Sequence, residues 1–315
     1  MTLNKALKKR WVADAVLPSM FKGDVFHGPN FFLPAYADVG VITIHDLSVF
    51  KFPQTHPVER LAQFEREFKR SVQAASQVIT DTETTRLEVM AYTGLPPDRV
   101  TAVTLGVSPA FKPLRADASM PVLGRYGLKH GSYLLCVSTF EPRKKIGQLL
   151  AAYRLLPVAL QRRYPLVLAG AAGWLNEELL AEIEAGQHQG WLRYLGFVPE
   201  HDLHSLYAGA ASFCYPSVYE GFGLPPVEAM ACGVPTVVAD SSCLPEVTQG
   251  AALLMDPDDS DAFAGALSRS LLDEPWRSRA VLHGLKVAAS YTWESCVNRT
   301  VEVYQKALNM HARST

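Results

Sequence analysis

Between Tyr133 and Asp256, short and mostly apolar runs recur at intervals that leave room for a helix after each: YLLCVST (133–139), PLVLAG (165–170), RYLGF (193–197), ASFCYP (211–216), PTVVAD (235–240) and AALLMD (251–256). A strand that is apolar at nearly every position is buried on both faces. In a chain that alternates strand and helix, this requires parallel sheets with helices packed on each side. The first third repeats the pattern, with strands expected at 24–28, 39–46, 77–80 and 100–105. Helical spacing covers 58–76, 82–94, 146–156, 174–186, 200–209, 225–232, 259–272, 276–289 and 293–309. The predicted class is therefore α/β, built as two doubly wound, Rossmann-like parallel-sheet domains.

A chain of 315 residues is long enough for two such domains. The stretch GVSPAFKPLRADASMP (106–121) holds three prolines and little periodicity, so it reads as the linker. The expected division is 1–112 and 113–290, with a last helix in 291–315 packing back on the first domain. Hydrophobic residues at 48% and charged residues at 19% fit a globular core, and a net charge of −1 gives no global field for nucleic acid. The five cysteines form no C-x-x-C pair and sit mostly in apolar runs, as reduced thiols of a cytoplasmic protein do. No apolar run is long enough to cross a membrane. The basic opening MTLNKALKKRW reads either as a solvated helix face or as a peripheral contact with the inner face of an anionic membrane.

Open parallel sheets bind ligands beyond the carboxyl ends of their strands. That rule selects four loops. The richest is SVYEGFGLPPVEAMACG (217–233), which places Glu220 and Glu228 eight positions apart around a Gly-Pro turn. Pro225 and Pro226 suit a helix start, where a missing N–H is no loss. Gly221 and Gly223 allow a sharp turn with exposed N–H groups, and these together with the helix N-terminus suit anionic or hydroxyl oxygens. Glu228 in the first turns fits a ribose diol, since a carboxylate accepts from two adjacent hydroxyls. Glu220 would face the other side of the same ligand. Spacing alone leaves open a helix start with Glu228 serving the dipole and Glu220 solvated. The EPRKK loop (141–145) puts Arg143 and Lys144 at another strand end, a pair of cations suited to a diphosphate. By itself it also reads as a surface charge run.

His45 closes an apolar strand, as either a substrate contact or a core histidine satisfied by backbone. Three clusters are not metal sites. Asp256-Pro257-Asp258 is turn chemistry, His201 and His204 lack further ligands, and His45-Asp46 is too short a set.

Together these residues resemble the family-4 retaining glycosyltransferases of the GT-B fold. The E-x7-E element is Glu220 to Glu228 within PSVYEGFGLPPVEAMACGVPTVVAD. The likeness continues through EPRKK, LGFVPEHDLHSLYAGA, SSCLPEV and AALLMDPDD, and more weakly through HGPNFFLP, VITIHDLS and VITDTETTR. The resemblance implies a nucleotide-diphosphate-sugar site in the C-terminal domain and an acceptor, a glycan or lipid-linked glycan, on the N-terminal one. By it Glu228 would hold the ribose, and Glu220 with Gly221, Phe222, Gly223 and Leu224 the sugar hydroxyls. Arg143 and Lys144 would neutralise the diphosphate, the backbone of Phe197 and Val198 with Gly170 would meet the nucleoside, and His45 would lie near the sugar. It also implies a metal-independent reaction without cofactor, and the EPRK and VYEGFGLPP wording leans towards mannose from GDP-mannose in bacterial polysaccharide or lipopolysaccharide synthesis. Two departures stand out. Relatives often carry Gly-Arg where this chain has Ser138-Thr139, and their opening strands with a Gly-rich loop have no counterpart, so a shortened N-terminal domain is expected.

Two other classes compete. A carboxylate pair is also the machinery of glycoside hydrolysis, although cations and an anion site have no task there. A nucleotide-sugar-binding partner subunit that is catalytically impaired by its short N-terminal domain would keep the same loops.

Overall fold

The computed structural model describes residues 22–55, 58–171, 173 and 177–314. The basic opening segment lies outside them, as does the start of the helix expected from 174. Two compact units form. One holds the chain up to Thr104 together with Glu294–Thr315, and the other is Leu105–Trp293.

The first unit carries a four-stranded parallel sheet, β1 (Val25–Gly28), β2 (Val39–Thr43), β3 (Ala75–Thr80) and β4 (Val100–Ala102), in the order β1-β2-β3-β4. Successive side chains of β2 point to opposite faces, and every one of them is buried. Val39 and Val41 join Val303 and Ala307 of the last helix, Trp293–Ser314. Ile42 joins Phe68 of the helix Val58–Ala74 and Val89 of the helix Glu83–Thr93. Both faces are thus covered, which is why β2 contains no polar residue before Thr43.

The second unit holds β5 (Leu134–Val137), β6 (Leu166–Ala169), β7 (Leu192–Tyr194), β8 (Ser212–Tyr215), β9 (Thr236–Ala239) and β10 (Leu253–Met255). Their order is β10-β9-β8-β5-β6-β7, all parallel. The chain builds outward from β5 to β7 and then returns to place β8 on the other side of β5. This reversal opens a crevice at the carboxyl ends of β5 and β8, the place where such sheets bind ligands.

The segment read as a linker is not one. Ala116–Arg125 is a helix with Pro121 inside it, and Ser119 and Leu123 are buried on its inner side. Burial of that face outweighs the low helical preference of proline. The division between units falls at Thr104–Leu105 rather than near 112. Val107 donates its N–H to Tyr291 O at 3.0 Å, and a Cβ on Gly106 would stand 2.2 Å from the Trp293 nitrogen, so this stretch is packed into the second unit. Short helices at Val158–Arg163 and Leu244–Thr248 carry too few turns to show a period.

Candidate functional site

Four loops of the second unit meet at the β5–β8 crevice. After β5, the turn Pro142–Lys144 ends on Lys145 in the left-handed region (φ 52°), and the helix Ile146–Arg154 follows at once. Val218 N–H donates to Arg143 O at 2.9 Å, tying this turn to the loop after β8. After β8 the chain reaches Gly223 (φ 89°), which precedes the helix Leu224–Ala231 with Pro225 and Pro226 in its first turn.

Arg143, Lys144 and Glu220 are brought into direct contact. The Lys144 ammonium is buried, bonded to the Tyr215 hydroxyl at 2.9 Å and paired with Glu220 Oε1. The Tyr215 hydroxyl donates to the same oxygen at 2.9 Å. Arg143 reaches Glu220 Oε2 at 3.2 Å, Glu141 at 3.0 Å and the Tyr219 carbonyl at 2.7 Å. Burial works to raise the Glu220 carboxyl, but the Lys144 and Arg143 charges outweigh it and hold it below its usual range. Glu220 is thus held as an anion, suited to accept hydrogen bonds and unsuited to act as a general acid. Its backbone is held too: Ser242 Oγ donates to Glu220 O at 2.7 Å, and Cys243 Sγ to the same oxygen at 3.2 Å.

Glu228 stands in the first turns of the helix beside the buried Tyr207 hydroxyl, half-buried itself. Burial pushes its carboxyl up to about 7, the Tyr207 hydroxyl pulling the other way and the Glu200 charge adding to the rise. The two glutamates therefore have opposite characters. Phe222 is buried against Tyr291 with ring centroids 5.2 Å apart, so its side chain belongs to the core. Gly221 is buried as well.

Gly170, Phe197 and Val198 line a cavity of about 360 Å³ with Ser138, Lys144, Tyr215 and Pro225. Val198 is buried while Phe197 is 79% exposed, an aromatic face offered to whatever enters. Gly170 adopts φ 134°, and a Cβ there would lie 1.9 Å from Ser138 O. Gly170→Ala is expected to cost about 3 kcal/mol or more, read as a lowered midpoint in chemical denaturation. A second hollow, of about 300 Å³, between Val107–Phe111 and Leu285–Thr292 has no carboxylate or cation in its lining.

His45 belongs to the first unit, at the carboxyl end of β2. Its Nδ1 meets Asp81 Oδ2 at 2.8 Å and its Nε2 meets Pro29 O at 3.0 Å. The Asp81 hydrogen bond raises the His45 pKa against the opposing effect of burial. A carbonyl only accepts, so Nε2 carries a proton, while Nδ1 faces the Asp81 carboxyl, whose own pKa burial raises. The side chain remains 43% exposed. Sequence reasoning did not single out Asp81, Tyr215, Tyr207 or Ser242. Asp81 follows β3 directly, so the strand-end rule that found His45 also points to it.

The protein family described as "Glycosyl transferases group 1" matches residues 127–284. The O-antigen chain mannosyltransferase B of Escherichia coli is 42% identical over 285 residues, 90% of this chain and 75% of that protein. A serotype-specific mannosyltransferase WbdA of the same species is 31% identical over 255 residues, covering 80% of this chain but only 30% of its own length. Among solved structures, WaaG, a glycosyltransferase involved in lipopolysaccharide biosynthesis, superposes with a TM-score of 0.71 at 16% identity, over 95% of this chain and 82% of that one. Anabaena Alr3699/HepE in complex with UDP and glucose gives 0.71 at 19% identity, over 85% of this chain and 71% of that one. The two parallel-sheet units are thus those of the GT-B fold.

Proposed function

Because the chain belongs to the group 1 glycosyl transferases, we propose that it transfers mannose from GDP-mannose to a glycan acceptor in bacterial surface-polysaccharide synthesis. The observation that carries the reading is the convergence of Arg143 and Lys144 on Glu220 at the β5–β8 crevice, beside the aromatic-walled cavity. The 42% identity to an O-antigen mannosyltransferase supports mannose and the polysaccharide.

In this reading the nucleoside enters the cavity against Phe197, Val198 and Gly170, and Glu228 accepts from the ribose hydroxyls. The sugar lies along Gly221–Leu224 with Glu220 fixing its hydroxyls. As the bond to the departing diphosphate breaks, negative charge builds on the phosphate oxygens. Arg143 and Lys144 stand ready to neutralise it, which lowers the barrier where charge develops. The proposal assigns no metal ion and no protein nucleophile. The acceptor attacks from the face the diphosphate leaves, with retention at the anomeric carbon.

The test is mannosyl transfer from GDP-mannose to an oligomannoside, with UDP-glucose and ADP-glucose as parallel donors and the anomer of the product read by NMR. An α-linked mannosyl product from GDP-mannose alone is the expected result. Transfer from another donor in preference, or a β-linked product, would count against the sugar or the stereochemistry respectively.

A further inference from the structure

The cavity in the second unit contains a hydroxyl that its protein surroundings leave unpaired. Ser138 follows β5. Its N–H donates to Ala169 O at 3.0 Å, and its carbonyl lies so close to Gly170 that only glycine fits there. The backbone is therefore fixed between β5 and β6, and the side chain has little freedom beyond its own rotamer. The Oγ is buried, has no hydrogen-bond partner in the protein and belongs to a residue lining the cavity with Lys144 and Tyr215. Its neighbour is the Cys136 thiol, which burial pushes up to about 12 despite the opposing pull of the Ser138 hydroxyl and the Lys144 charge. A thiol is only a weak donor and a weak acceptor, so the contact with Cys136 leaves the serine hydroxyl without a strong partner. A buried hydroxyl left alone is costly, and exceptions of that kind need a reason.

We propose that Ser138 Oγ donates a hydrogen bond to the diphosphate of the nucleotide donor, beside Lys144, and so helps to bind the donor. The inference rests on the nucleotide-sugar reading given above. Two features favour the diphosphate over the nucleoside. Ser138 and Lys144 both lie in the loop after β5 and both line the cavity, so hydroxyl and cation stand at the same strand end. Phe197 and Val198 instead follow β7, two strands from β5 in the sheet, which separates them by roughly 10 Å at ordinary strand spacing. A phosphate oxygen also only accepts, as the partner of an orphan donor must.

The experiment compares the wild type with Ser138→Ala, each titrated with GDP and with guanosine by ligand-observed NMR, which also reads weak binders. The expected result is a loss of about ten-fold or more in GDP affinity with guanosine binding unchanged, as removal of one hydrogen bond to an anion predicts. The unliganded variant should melt no lower than the wild type, since an unpaired buried group has been removed. Unchanged GDP affinity, or equal losses for GDP and guanosine, overturns the proposal. A wild type that binds neither ligand overturns the nucleotide reading first and this inference with it, and that outcome is read without the variant.

Discussion

Lys144→Ala is expected to lower kcat/KM for sugar transfer by about a thousand-fold, because it removes the buried cation aimed at the developing diphosphate charge. It should also destabilise the fold. Glu220 would keep Arg143 at 3.2 Å and the Tyr215 hydroxyl, but a buried carboxylate that loses its closest partner costs about 3 kcal/mol. Activity lost through unfolding and activity lost through chemistry must therefore be separated. The double variant Lys144→Met, Glu220→Gln does this. It replaces the ion pair with groups of similar size and no net buried charge, so its melting temperature should return close to that of the wild type. Transfer should stay as low as in Lys144→Ala and fall well below that of Glu220→Gln alone, which loses only the sugar contact. If the double variant recovers activity along with stability, the cation has no part in the reaction.

The second large effect concerns Glu228 and runs in two directions at once. Its carboxyl sits at about 7 in the folded protein, above the ordinary 4.5 of a solvated glutamate. Between those values the folded state keeps a proton that the unfolded chain releases, so stability falls as pH rises from about 4.5 to about 7 and then levels off. Above pH 7 the full penalty is present, on the order of 3 kcal/mol. Glu228→Gln has no charge to bury and should melt higher than the wild type at pH 8, with the gain vanishing below about pH 4.5. The same variant should lose most of its affinity for GDP-mannose, because an amide cannot accept from both ribose hydroxyls as a carboxylate does. Wild-type donor affinity should accordingly rise with pH through 7, while that of the variant stays flat. A variant that is both less stable at pH 8 and unchanged in donor binding would show that Glu228 is an ordinary helix-terminus carboxylate.

The strands could be placed from the sequence because their burial on both faces leaves an almost continuous apolar signature, as in Leu134–Val137 and Thr236–Ala239. The rule of strand carboxyl ends then pointed to the loops holding Arg143, Lys144, Glu220 and His45. What remained illegible is set by neighbours distant in the chain. Nothing near Glu220 announces that Ser242 and Cys243, beyond β9, hold its backbone, since that depends on β8 lying beside β9. The opposite electrostatics of Glu220 and Glu228 are likewise invisible in an E-x7-E spacing. One faces two cations, while burial and the Glu200 charge raise the other against the pull of Tyr207. The prolines of 106–121 misled for a local reason: Pro121 weakens the helical signal of Ala116–Arg125, and only the packing of Leu123 restores it.

The central claim is that a nucleoside diphosphate binds at the β5–β8 crevice of the second unit. Its most direct test is the melting temperature of the wild-type chain at pH 8 with saturating GDP, measured beside UDP and ADP. A ligand at a hundred times its Kd adds about 2.7 kcal/mol to the stability of the state that binds it. For a unit of this size that corresponds to a rise of roughly 5 °C or more with GDP, and a smaller one with the other two. No rise with any of the three nucleotides would contradict the account.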